Sequence, residues 1–190
     1  MHLDKTSITV EFKNIGPVLF ERSDRAQRMN ISIKPKAGVR VAVPKGISFQ
    51  TAINFAKSNT SWIQRRQKRM KELLEKNKRI GEVSNIPAAK ELLRMRLNEL
   101  AKQYGYTFNK VFIKQLKTMW GSCSEKNNIN LNLKLVLFPE KLMDYIILHE
   151  LVHIRHKNHG PLFWKELDKI TGDAKALSKK VKYFGVGLLS

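Results

Sequence analysis

The sequence predicts an α+β protein: a small β-rich region with one basic helix over residues 1–80, then helices around a short sheet over 81–190. Three observations predict it. Apolar and polar residues alternate in short runs between Ile8 and Val43, apolar residues recur at helical spacing after Ser48, and alternation returns between Val111 and Leu137.

The elements follow in order. Ile8, Val10 and Phe12 alternate, then Ile31 and Ile33, then Val39, Val41 and Val43, with turn signals at Asn14–Pro17 and Pro35–Gly38. Pro44-Lys45-Gly46 stops the sheet. Ser48 is an N-cap for a helix to about Ser58, and a second helix starts around Trp62. Gly81–Ile86 reads as a linker. Pro87 then stands at a first helical position and Gly105 at a C-terminal cap, with Leu93, Leu97, Leu100, Ala101 and Tyr104 on one face between them. Val111 and Ile113 suggest a strand, Trp120–Cys123 a turn, and Ile129–Leu137 a strand with one apolar and one polar face. Pro139 and Pro161 open two further helices. Phe163, Trp164, Leu167 and Ile170 form the apolar face of the second, which Gly172 stops. Lys175, Lys179, Lys180 and Lys182 mark a last helix before Gly185.

At 190 residues, 42% hydrophobic and 27% charged, the chain can bury about 70% of its unfolded surface. Intrinsic disorder and disulfide-stapled scaffolds are excluded. The one cysteine, Cys123, has no internal partner, which favours a reducing compartment. Apolar stretches such as Tyr145–Leu148 fall far short of a membrane span. Met1–Phe12 carries Asp4 and Glu11 and does not resemble a secretory signal. The expectation is a cytoplasmic protein with no membrane partner.

The formal net charge is +20 and the isoelectric point about 10.2. The densest cationic stretch is Arg65, Arg66, Lys68, Arg69, Lys71, Lys76, Lys78 and Arg79. Such a stripe can track phosphates by releasing counterions, which admits a nucleic-acid partner. That partner is not favoured: base-stacking aromatics are missing from the stripe, and Glu72 and Glu75 stand at pairing distance from Lys76 and Arg79.

Four of the five histidines fall within eleven residues, His149-Glu150-Leu151-Val152-His153-Ile154-Arg155-His156-Lys157-Asn158-His159. His149 and His153 lie four apart, so a helix projects both imidazoles from one face, a separation that suits two nitrogens on one zinc ion. Glu150 is adjacent to the first and placed to act on a metal-bound water. Leu142, Tyr145 and Ile146 extend the same face backwards, so the site points inward. His159, six residues beyond His153 and just before Pro161, is the third candidate ligand. A chance His-Glu-x-x-His has a probability of about 0.8% in a chain of this composition, and a fixed third histidine lowers that about 40-fold. His156 suits the surface or a supporting position better than the metal. Cys123, an isolated thiol, reads as a small buried hydrophobe.

The ligand spacing equals that of the metzincins, but their signature has glycine where this chain has His156. All six methionines also lie upstream of His159, so their methionine turn is missing. The chain instead resembles the YgjP-like family of zinc-dependent metallopeptidases, related to the zincins. The matching stretches are Arg28–Gly46, Trp62-Ile63, Met119–Ser124, Ile129–Pro139, Asp144–Ile154 and Asn158–Trp164. The resemblance runs from about Arg25 to Gly185. It implies a zincin-like catalytic domain over 81–190, zinc on His149, His153 and His159, Glu150 as general base, and a peptide or protein substrate. The family usually has an arginine where this chain has Met119.

The implied reaction is hydrolysis by a zinc-activated water, with His156 and Tyr183 as candidate oxyanion donors. Ile129–Leu137 would be the edge strand that pairs with an extended peptide. Two rival readings share the metal motif. A DNA-associated protease resembling the SprT-like proteases would use the +20 charge. A metal-dependent nucleoside triphosphate pyrophosphohydrolase would use the cationic surface, though no Gly-rich phosphate loop is present. A structural-zinc binding module is disfavoured, because structural sites take four ligands, usually cysteine-rich.

Overall fold

The computed structural model of the chain describes residues 6–35, 37–78 and 82–189. Its contacts divide into two compact units, Met1–Glu75 and Lys76–Ser190. The boundary expected between residues 80 and 81 lies outside the described residues.

The first unit has strands β1 (Ser7–Phe12), β2 (Gly16–Arg22), β3 (Asn30–Lys34) and β4 (Gly38–Val43) in the order β1-β2-β4-β3. β2 runs parallel to β4, and the outer pairs are antiparallel. Helices α1 (Phe49–Ser58) and α2 (Thr60–Lys78) follow. Val18, Phe20, Val39, Val41 and Val43 pack with Ala52 and Ala56 of α1 and Ile63 of α2 into one core. Ser48 caps α1 as expected, its Oγ accepting from Thr51 N at 3.0 Å. Arg22 ties the end of β2 to the next turn by donating to Pro44 O (3.0 Å) and Ile47 O, with its guanidinium over the Phe49 ring.

Strand β2 was hidden in the sequence because its first residues, Gly16-Pro17, carry a turn signal. Gly16 (φ 72) does close the turn, but Pro17 then enters the strand at its start, where proline is tolerated. On α2, Arg65, Arg66, Lys68, Arg69 and Lys71 are exposed. The remaining stripe residues, Lys76, Lys78 and Arg79, lie outside the described side chains. One aromatic does adjoin the stripe: Trp62, 39% exposed, lies under the Arg66 guanidinium.

The second unit begins with the last turn of α2, where buried Asn77 donates to Phe184 O (2.8 Å) and Val186 O (2.5 Å). Helix α3 (Ile86–Tyr104) starts at the Asn85 cap and ends at Gly105, whose φ of 68 suits glycine. Then come β5 (Val111–Lys114), β6 (Gly121–Cys123), β7 (Ile129–Asn132), a 3-10 turn (Leu133–Leu137), and helices α4 (Glu140–Val152), α5 (Pro161–Thr171) and α6 (Ala174–Phe184). Arg96 of α3 forks onto Asp144 of α4 at 2.7 and 2.6 Å, joining the two helices. No helix among the described residues is long and apolar enough to cross a membrane.

Two expectations are corrected here. Trp120–Cys123 is not a turn: Gly121, Ser122 and Cys123 form β6, antiparallel to β7. Ile129–Leu137 is not one strand and not an edge. β7 is the middle of the order β5-β7-β6, and the chain leaves it at Asn132. Buried Asn132 accepts from Lys134 N (3.1 Å) and donates to Leu116 O (2.8 Å) and Met119 O (2.9 Å), which bends the backbone into the 3-10 turn. Leu133 and Leu135 stay buried through that turn, so the burial period mimics a strand.

Candidate metal centre

Helix α4 is apolar along most of its length, and Leu142, Tyr145 and Ile146 are buried. Its last turn brings His149 beneath His153, which caps the helix. The chain then loops through Ile154–Gly160 and re-enters a helix at Pro161. That reversal returns His159 to the first two histidines. Each of His149, His153 and His159 offers a ring nitrogen, and the three atoms lie within 4.8 Å of one another. The Nε2 atoms of His149 and His159 are 3.0 Å apart.

The floor under them is one side chain. Phe163, fully buried in the first turn of α5, has its ring centroid 4.9, 4.5 and 4.7 Å from those of His149, His153 and His159. Its spacing had placed it only in the core. Burial and mutual repulsion hold His149 neutral, with its pKa pushed down to about 3. Burial is also the main cause lowering that of His153. Neutral imidazoles present lone pairs. His153 Nδ1 and His156 O are 2.9 Å apart, and because a carbonyl only accepts, the proton sits on Nδ1 and Nε2 remains a ligand atom. Three convergent imidazole donors fit a divalent metal ion.

Glu150 leaves α4 about 100° round from His149 and is 6% exposed. It lies against β6: a Cβ placed on Gly121 would stand 2.6 Å from Glu150 Cγ and 2.8 Å from Oε1. Burial pushes its carboxyl up to about 8. A group that titrates near neutrality is suited to exchanging protons.

The remaining candidates sort by contact. His156 does not join the cluster. Its Nε2 lies 2.6 Å from Glu166 Oε2 on α5, so its ring serves neither as ligand nor as oxyanion donor in this arrangement. Tyr183 stands on α6, 43% exposed. Cys123 is half-buried, and burial raises its thiol pKa, as suits a thiol outside the donor set. Lys157 donates to Ser124 O (2.9 Å) and Asn127 Oδ1 (2.6 Å), linking the histidine loop to the turn after β6. Met119 exposes its side chain.

A histidine cluster with a buried carboxyl alongside belongs to the class of metal-dependent hydrolases. The model of the YgjP-like metallopeptidase domain matches residues 27–88 and 85–184. The chain belongs to the YgjP-like metallopeptidase family and is a peptidase of the hydrolase class. Among solved structures, it is similar in part to the metallopeptidase zymogen of Pyrococcus abyssi abylysin, at 26% identity and a TM-score of 0.42, over 47% of this chain and 90% of that one. The metallopeptidase zymogen of Methanocaldococcus jannaschii jannalysin gives 31% identity and a TM-score of 0.42, over 47% of this chain and 93% of that one. No curated protein matches.

Proposed function

We propose that this peptidase is a zinc enzyme whose His149, His153 and His159 hold the ion, with Glu150 as general base and the second unit as the catalytic domain. The observation that carries the reading is the convergence of three ligand atoms within 4.8 Å. Imidazole donors suit zinc, and bound zinc supplies a water acidified towards about pH 7 together with Lewis acidity. Glu150 receives the proton of the attacking water and returns it to the leaving amine. Without metal, burial pushes its carboxyl up to about 8; a bound cation beside it would favour the ionised form that accepts the proton.

The substrate is an extended peptide or unfolded protein segment. With β7 central, the edge beside Glu150 is β6, whose outer side carries no strand among the described residues. Backbone pairing along Gly121–Cys123 would hold a peptide with little side-chain preference. The expected setting is the cytoplasm, in keeping with a single unpaired thiol.

Casein-like unfolded protein incubated with zinc-loaded enzyme tests the reading. We expect cleavage by the wild type, and at least about 10²-fold less by Glu150→Gln, the low end for loss of a general base. The variant should keep its metal. Undiminished cleavage by Glu150→Gln sinks the mechanism.

A further inference from the structure

The carboxylate of Glu166 occupies a position that the proposed reaction does not use. It stands on α5, with its side chain 18% exposed, and three donors converge on it. Its Oε1 accepts from Tyr106 Oη at 2.5 Å and from Arg155 Nη1 at 2.7 Å, and its Oε2 meets His156 Nε2 at 2.6 Å. Arg155 also donates to Gly105 O at 2.8 Å, at the end of α3, and its guanidinium lies 4.3 Å over the Tyr106 ring. Both Arg155 and His156 belong to the loop between His153 and His159.

His156 is held at two points. Its ring is fixed by Glu166, and its backbone carbonyl accepts from His153 Nδ1 at 2.9 Å. The ring contact therefore locates the carbonyl that orients His153. The same loop also carries His159. We propose that Glu166 is a positioning residue for the metal centre: acting through the His156 ring, it sets the loop that orients His153 and delivers His159. This inference rests on the zinc reading above. The two oxygens divide the labour: Oε2 takes the His156 ring, while Oε1 takes Arg155 of the same loop and Tyr106 outside it. Partners that orient a ligand histidine are worth about 10–100-fold in metal affinity when removed.

The test is Zn²⁺ affinity of the full-length, metal-stripped protein, measured by competition with a chromophoric chelator. Glu166→Gln and His156→Ala should each weaken zinc by about 10-fold, and the double variant should be no weaker than either single, because the two act in series. Tyr106→Phe, which removes an Oε1 bond only, should lower the melting temperature of the metal-free protein and leave zinc affinity unchanged. Wild-type affinity in both single variants, additive losses in the double variant, or an equal loss in Tyr106→Phe would each overturn the positioning role while leaving the zinc reading intact. Should Glu166→Gln not fold, His156→Ala against Tyr106→Phe decides the matter. A wild-type protein that binds no zinc overturns the zinc reading and this inference together.

Discussion

Gly121 and Glu150 occupy adjoining space that admits no methyl group: a Cβ at Gly121 would come within 2.6 Å of Glu150 Cγ and 2.9 Å of its Cδ. The edge strand therefore rests directly on the side chain proposed as the base. Gly121→Ala should force that carboxyl aside. A displacement of about 1 Å can cost about 10²-fold in rate, so turnover should fall to that extent. Metal content should stay at the wild-type level, because no ligand histidine is touched. Steady-state rates with parallel zinc analysis check this, and full activity in the variant would show that Glu150 has room to spare.

The ligand assignment makes its own prediction. His149→Ala, His153→Ala and His159→Ala should each lose metal, whereas His156→Ala should retain it on purification while binding it less tightly. Metal analysis of protein prepared without a nickel column separates these outcomes. Equal metal in wild type and His159→Ala would remove the third ligand.

Glu150 also gives a pH signature. Burial raises its folded carboxyl from the ordinary 4.5 to about 8. A raised carboxyl favours the protonated folded state, so its contribution to stability is full below about 4.5 and is lost as pH rises towards about 8. For metal-free protein, Glu150→Gln should lack this loss. The variant's stability relative to wild type should climb by up to about 1.4 kcal/mol per pH unit across that window. Urea midpoints at pH 5, 6.5 and 8 measure it, and a difference that does not change with pH would contradict a buried, protonated Glu150.

The net charge of +20 gives a last prediction. DNA binding should be weak, around 10⁻⁴–10⁻⁶ M at physiological salt, as for non-specific cationic surfaces. Casein cleavage should be equal with and without DNA. Strong activation by DNA, lost when Arg65, Arg66, Lys68 and Arg69 become Ser, would favour a DNA-associated protease. Release of pyrophosphate or phosphate from nucleoside triphosphates, abolished by Glu150→Gln, would favour the phosphohydrolase.

What could be read before the structure was whatever short-range chemistry dictates. Ser48, Gly105 and Pro161 marked helix ends because caps act over three or four residues. The histidine spacing is equally local. Other features depended on partners far along the chain. β6 is three residues long and exists as a strand through its pairing with β7, so its glycine gave a turn signal. The bend after β7 depends on Asn132 reaching Leu116 and Met119, sixteen and thirteen residues earlier. A five-residue alternation cannot distinguish that bend from a continuing strand. The Glu166 hub joins residues separated by as many as sixty positions, and no periodicity announces it. Phe163 was visible as a core residue, but its contact with three imidazoles was not.

The imidazoles and the aromatic ring beneath them span only the fifteen residues from His149 to Phe163. Closing a loop this short costs little chain entropy, and the cost grows only slowly with length. The donor set is therefore a low-contact-order assembly, whereas Gly121 reaches Glu150 from 29 positions upstream. Folding can thus complete the histidine hairpin before β6 arrives over the carboxyl. A partly opened chain that lifts β6 would keep the imidazoles together while unseating the Glu150 carboxyl.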